Sequence, residues 1–190
     1  MGKAPWIAAE SAAVKVADWI ALLNAQVFQA SVAPNEALEA YWTEQFPARV
    51  RDALIVWVAH LQRPDLPRPE KLTAPPAAYA AYREATAMGS YVGPIAVVEA
   101  TIFLPSSVNK LCGHNDALGR PALVTTTWAL RNILDQINER CWQAGKAQQE
   151  AWLRASDGAT LEIAAQDGWA RLSKACDFAN GNGVAIVVDQ

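Results

Sequence analysis

Apolar residues at Val16, Trp19, Ile20, Leu23 and Val27 recur at the three- and four-residue spacing of one helical face and predict a first helix that Pro34 closes. Asn35 is a natural N-cap for a second helix, NEALEAYWTEQF. Pro47 is placed to open a third, where Val50, Leu54, Trp57, Val58 and Leu61 form a stripe that Ile55 and Val56 widen. A helix apolar nearly all round is a buried one, so this third helix is expected near the centre of a helical layer. His60 falls at its end, where an imidazolium would suit the helix dipole.

The pattern then breaks. RPDLPRPEKLTAPP, residues 63–76, holds five prolines and predicts an extended connector lying over the surface. AAYAAYREATAM follows as a short helix stopped by Gly89. From residue 94 the period changes to two. In PIAVVEATIFL, Ala96, Val98, Ala100, Ile102 and Leu104 share a wholly apolar face, while Glu99 and Thr101 make the other face partly wet. This predicts a strand packed on helices. ALVTT (122–126) is a shorter strand, with Thr127 as the cap of a helix behind it. That helix carries Leu130, Ile133, Leu134, Ile137 and Cys141 on its apolar stripe, and Arg131, Asp135 and Glu139 four apart on its polar side.

After a break at Gly145, TLEIA (160–164) predicts another strand, and a helix with Trp169, Leu172, Cys176 and Ala179 begins beyond Asp167. The glycines of GNG end that helix, and VAIVV predicts a buried closing strand. The fold class is therefore α+β: a helical N-terminal lobe, then a small mixed sheet of three to four strands covered by helices. It reads as one domain over 1–190, with a helical lobe at 1–62, a Pro-rich connector at 63–76 and a sheet-containing lobe at 77–190.

Composition agrees with a chain that buries a core: 52% of its 190 residues are hydrophobic and 18% charged. The net charge is −3, and Lys and Arg are scattered without a run, which argues against a nucleic-acid partner. Three cysteines imply no disulfide framework and fit a reducing cytoplasm. Asp18 interrupts the only apolar run near the N-terminus, so neither a secretory signal nor a membrane span is expected. Eight Trp is a high count, for a residue that serves both as core filler and as interface anchor.

Candidate chemistry concentrates in LPSSVNKLCGHNDALGRP, residues 104–121. Cys112, His114 and Asp116 crowd together there and could supply a nucleophile with its base, or two metal ligands. A zinc site needs about four ligands, and Cys141 and Cys176 lie on apolar helix faces, so no metal is expected. GSYVG (89–93) is one residue out of frame from a hydrolase nucleophile elbow. The glycines at 181 and 183 follow a helix and precede a strand, the reverse of a dinucleotide fingerprint, and no cofactor is expected. The loop punctuation of Pro105, Gly113, Gly119 and Pro121 makes 105–121 first of all an inter-strand loop.

The second helix is unusual in charge. Glu36, Glu39 and Glu44 occur there without a Lys or Arg, interleaved with Tyr41 and Trp42. Carboxylates beside aromatic anchors suit a cationic protein partner. The function expected is accordingly a non-enzymatic, cytoplasmic protein-binding protein, of the bacterial immunity type that neutralises a cationic toxin or effector by occluding it. The alternatives are a small hydrolase or transferase using Cys112 and His114, and a structural subunit held in a homo-oligomer by exposed Trp.

Overall fold

A computed structural model describes residues 46–87, 93–107, 111–115, 121–153 and 160–188 of the chain. The predicted first helix and most of the second, residues 1–45, lie outside the described residues.

Helix α1 (Ala48–Gln62) is the centre of the core, with nine of its 15 residues buried. It packs on α2 (Ala80–Ala87), α3 (Pro94–Glu99) and most extensively on α6 (Leu161–Asn182). Gly168 makes the last approach possible. A Cβ there would stand 2.7 Å from the Val50 carbonyl oxygen and 3.3 Å from the Leu54 Cβ, inside contact distance. The all-round apolar pattern of α1 thus has its expected cause, burial on several sides.

The sheet is mixed and four-stranded among the described residues. Its strands are β1 (Ile102–Leu104), β2 (Cys112–Asn115), β3 (Pro121–Thr126) and β4 (Ile186–Val187), in the order β2-β3-β1-β4. β1 runs parallel to β3 with Ile102 opposite Val124, β4 runs antiparallel to β1, and β2 runs antiparallel to β3. Helices α4 (Thr127–Cys141) and α3 pack against this sheet, and α5 (Lys146–Trp152) packs on α6. The α+β class, with a small mixed sheet covered by helices, is as the periodicity predicts. No described helix is long and apolar enough to cross a membrane.

Four local expectations are corrected. Residues 94–104 are not one strand: 94–99 form α3, and only Ile102–Leu104 pair. Pro94 sits in the first turn of α3 after an extended Gly93, where its missing N–H costs nothing. Ile102, Phe103 and Leu104 are all buried, because a strand beside a parallel neighbour is covered on both faces. The predicted strand 160–164 is instead the cap and first turn of α6. The Thr160 hydroxyl accepts from the Ile163 N–H at 3.3 Å, and Leu161 and Ala165 extend the stripe of Trp169, Leu172, Cys176 and Ala179.

At the start of α4 the cap is Thr126, one residue earlier than expected, its hydroxyl accepting from the Ala129 N–H at 3.1 Å. The closing strand is short and at the sheet edge, with Val187 41% exposed, so it is not the buried strand its composition predicts. Gly183, at φ 65, does end α6 in the left-handed conformation.

The Pro-rich connector lies without regular structure as far as Pro75, where the short 3-10 turn Pro76–Ala78 begins, and it is fastened along its length. Arg63 pairs with Asp65 at 2.8 Å and with Glu84. The Glu70 carbonyl accepts from the Leu161 N–H at 2.8 Å, tying the connector to the start of α6. Further on, the Tyr79 hydroxyl accepts from the Thr73 and Ala74 N–H groups at 2.8 and 3.2 Å. Leu66 and Leu72 turn inward onto the core.

Candidate functional site

The segment of Cys112 and His114 is a strand rather than open loop. Its residues form β2, with Cys112 opposite Val124 and His114 opposite Ala122, so their backbone is committed to a ladder. Asp116 lies outside the described residues, as do Glu36, Glu39, Tyr41, Trp42 and Glu44. Among the described residues no group of three or more His, Cys, Asp or Glu is placed to hold a metal ion.

Of the two cysteines expected in the core, Cys176 is fully buried and its thiol donates to the Thr127 carbonyl at 3.2 Å. Burial pushes this thiol above its ordinary pKa. Cys141 is only half-buried, like Cys112, because it ends α4 where the packing opens. A native thiol titration should therefore label Cys112 and Cys141 well before Cys176, and Cys176 only on unfolding. Fast native labelling of Cys176 would contradict its position in the core.

A group the sequence pattern does not bring together gathers four indoles from three helices and a turn. Trp57 on α1 stacks with Trp142 just past α4, at a centroid distance of 5.6 Å and an interplanar angle of 27°. Trp152 at the end of α5 meets Trp142 edge to face at 5.4 Å, and Trp169 of α6 meets Trp142 and Trp152 at 6.0 and 5.6 Å. Centroid spacings in this range are those of favourable aromatic pairs. Trp169 also donates from Nε1 to the Leu134 carbonyl at 2.8 Å.

The turn carrying Trp142 is clamped by Asn138. Its Oδ1 accepts from the Ala144 N–H at 2.8 Å and its Nδ2 donates to the Ala144 carbonyl at 3.0 Å. Between them Gln143 adopts φ 51, a left-handed value that a non-glycine residue holds only where surroundings enforce it. Two of the indoles, Trp57 and Trp169, are each 4% exposed, while Trp142 and Trp152 remain half-buried. The guanidinium of Arg68, from the connector, lies 4.0 Å over the Trp57 ring. On the open side, Trp142 Nε1 donates to Glu162 Oε1 at 3.2 Å.

One turn beyond Trp57, His60 is 3% exposed. Burial, and secondly the Arg68 charge, hold its pKa below the ordinary 6.5, against a smaller opposing effect of the Leu66 backbone. It is a neutral buried ring, not the dipole-stabilised imidazolium expected from its place near a helix end. The lowered pKa means the unfolded chain binds more protons than the folded one just below 6.5. The contribution of His60 to stability is thus complete above that pH and falls away as the medium acidifies. Urea titrations should show stability dropping between about pH 7 and about pH 5, with the slope reduced in His60→Gln. An unchanged slope would place the transition on other groups.

A second polar group lies where α1, α2 and α3 meet. Arg51 is 7% exposed, and its Nη2 donates to the Glu99 and Ala100 carbonyls at 2.6 and 2.9 Å, with Val98 at 3.5 Å. It thereby satisfies the orphan carbonyls at the end of α3. The Glu99 carboxylate accepts from the Tyr82 hydroxyl at 2.7 Å. Burial raises the Glu99 pKa, with the Tyr82 hydrogen bond and Arg51 opposing, and burial likewise raises Asp52. Each polar contact here closes a helix end or pairs a partly buried carboxylate. Both groups escape a periodicity reading, since only the tertiary fold brings Trp142 to Trp152 or Tyr82 to Glu99. The one signal in the sequence is the Trp count itself.

No protein-family model matches this chain, and the comparisons find no curated protein and no solved structure similar to it.

Proposed function

We propose that this chain is a non-enzymatic protein-binding protein that acts by covering its partner, in the manner of a cytoplasmic immunity protein occluding a toxin. The observation that supports this reading is the indole cluster. Two large aromatic side chains, Trp142 and Trp152, stay half-buried although Trp57 and Trp169 pack against Trp142, Trp169 packs against Trp152, and Asn138 clamps the turn that carries Trp142. Aromatic anchors fixed before binding lose little side-chain entropy on association, and Trp is enriched among residues that dominate interface energetics. The acidic segment with Glu36, Glu39, Glu44, Tyr41 and Trp42 is proposed as a further contact, adding electrostatic steering of a cationic partner.

The test is capture from the lysate of the source cells with immobilised native protein and, in parallel, with Trp152→Ser. A protein retained by the native chain and lost with the variant, the variant's melting cooperativity being intact, supports the reading. If that protein is a toxin whose activity the native chain suppresses and Trp152→Ser does not, the immunity form is supported. Equal recovery with both chains, or none with either, would remove this face as a binding surface.

A further inference from the structure

The open corner formed by Trp142, Trp152 and Glu162 has a chemistry of its own. The cluster already carries a cation on its inner member, since the Arg68 guanidinium sits 4.0 Å from the Trp57 centroid, well within the range of a cation–π contact. The outer members repeat the elements of that arrangement without an occupant from this chain's described residues. Trp142 and Trp152 stand edge to face at 71° and are only half-buried, with one face of Trp142 taken by the stacked Trp57. Glu162, exposed in the first turn of α6, places one carboxylate oxygen 3.2 Å from the Trp142 Nε1. Among the described residues no Lys or Arg forms an ion pair with Glu162.

An indole N–H that donates to a carboxylate becomes more electron-rich, which strengthens the attraction of its π-face for a cation. A guanidinium is planar and weakly hydrated, so it can stack on an indole while its N–H groups reach a carboxylate, a combination an ammonium performs less well. The net charge of −3 adds a weak long-range attraction of the same sign.

From this juxtaposition we infer that the Trp142–Trp152–Glu162 corner is a receptor for an arginine side chain of the protein partner. The inference rests on the binding reading above and names the partner chemistry at that surface. The half-buried Trp142 and Trp152 supply the aromatic surface, and Glu162 supplies the anionic end that selects a cation over a neutral group of the same shape. Trp57 and Arg68 form an inner, occupied cation–π contact, without a carboxylate at the indole N–H.

The probe is Nα-acetyl-arginine N-methylamide, titrated into full-length protein carrying 15N-labelled indoles, with the neutral citrulline analogue as the matched control. The Nε1–H resonances of Trp142 and Trp152 should shift and saturate with the arginine probe at low ionic strength. The citrulline analogue should produce shifts far from saturation. Glu162→Gln should weaken the arginine probe by about two- to fivefold, the size expected of an exposed charge pair, and leave the melting temperature nearly unchanged. Equal responses to the arginine and citrulline probes would overturn the inference. So would shifts confined to Trp57, which would mark exchange with Arg68 instead. A response still linear at about 50 mM, where a millimolar site is saturated, would overturn it as well. Should a captured partner depend on Trp152 while the two probes behave alike, the arginine inference falls and the binding reading stands. Selective arginine binding with no Trp152-dependent capture would overturn the binding reading, and with it the partner arginine, leaving only a guanidinium site at the corner.

Discussion

Trp169→Ala is expected to lower the stability of the folded chain by about 3–5 kcal/mol, the range for deleting a fully buried large aromatic side chain. Three losses add at this position. The indole is 4% exposed, so its removal leaves a cavity on the inner face of α6. The Leu134 carbonyl loses the Nε1 donor that now lies 2.8 Å away. The contacts with Trp142 and Trp152, at 6.0 and 5.6 Å, disappear together and release both outer indoles. Since a single domain is stable by only about 5–15 kcal/mol, the variant should unfold at markedly lower urea and show quenched or shifted fluorescence from the remaining indoles. A midpoint shift equivalent to less than about 1 kcal/mol would mean that the cluster is not packed as described.

Arg51→Met should be the next most damaging change, at about 2–3 kcal/mol. Methionine replaces much of the apolar volume but donates no hydrogen bond. The carbonyls of Val98, Glu99 and Ala100, which now share Nη2 at 2.6–3.5 Å, would be left without that donor at the end of α3. The deficit should also depend on pH in a defined direction. Burial already raises the Glu99 pKa, and the Arg51 charge is one of the two influences holding it down. Without Arg51 the ionised form of Glu99 loses a stabilising neighbour, so its folded-state pKa rises further. A carboxyl with a raised folded-state pKa contributes stability at low pH that is lost as pH rises through that pKa. The difference between native and variant should therefore be smaller at about pH 5 than at about pH 8, while the His60 transition, common to both, cancels. A deficit independent of pH would show that Arg51 acts on the α3 carbonyls alone.

These two residues mark how differently parts of the molecule can be read. Trp169 is visible in the sequence as part of a helical stripe with Leu172, Cys176 and Ala179, and all four are buried. That it also joins Trp142 and Trp152 is not visible, because those indoles come from a turn and from a separate short helix. Arg51 sits in the first turn of an apolar helix beside Arg49 and Asp52, and nothing in that stretch announces its partners 47 to 49 residues away.

Local pattern by itself determined α1, α4, the later turns of α6 with their stop at Gly183, the central burial of α1 and the α+β class. Those depend on the spacing of apolar residues and on backbone preferences of Pro and Gly, which act over a few positions. Where two local readings compete, tertiary burial chose between them. PIAVVE alternates well enough for a strand, yet it is α3, because Pro94 opens a helical turn and Arg51 of α1 satisfies its far end. TLEIA is β-compatible, yet Thr160 caps a helix whose inner face Leu161 and Ala165 complete against α1. Cys112 and His114 read as loop chemistry and became strand, because their backbone found the edge of β3. The indole corner and the buried state of His60 were likewise decided only by packing: burial and contact depend on distant segments meeting, and no window of sequence contains both partners.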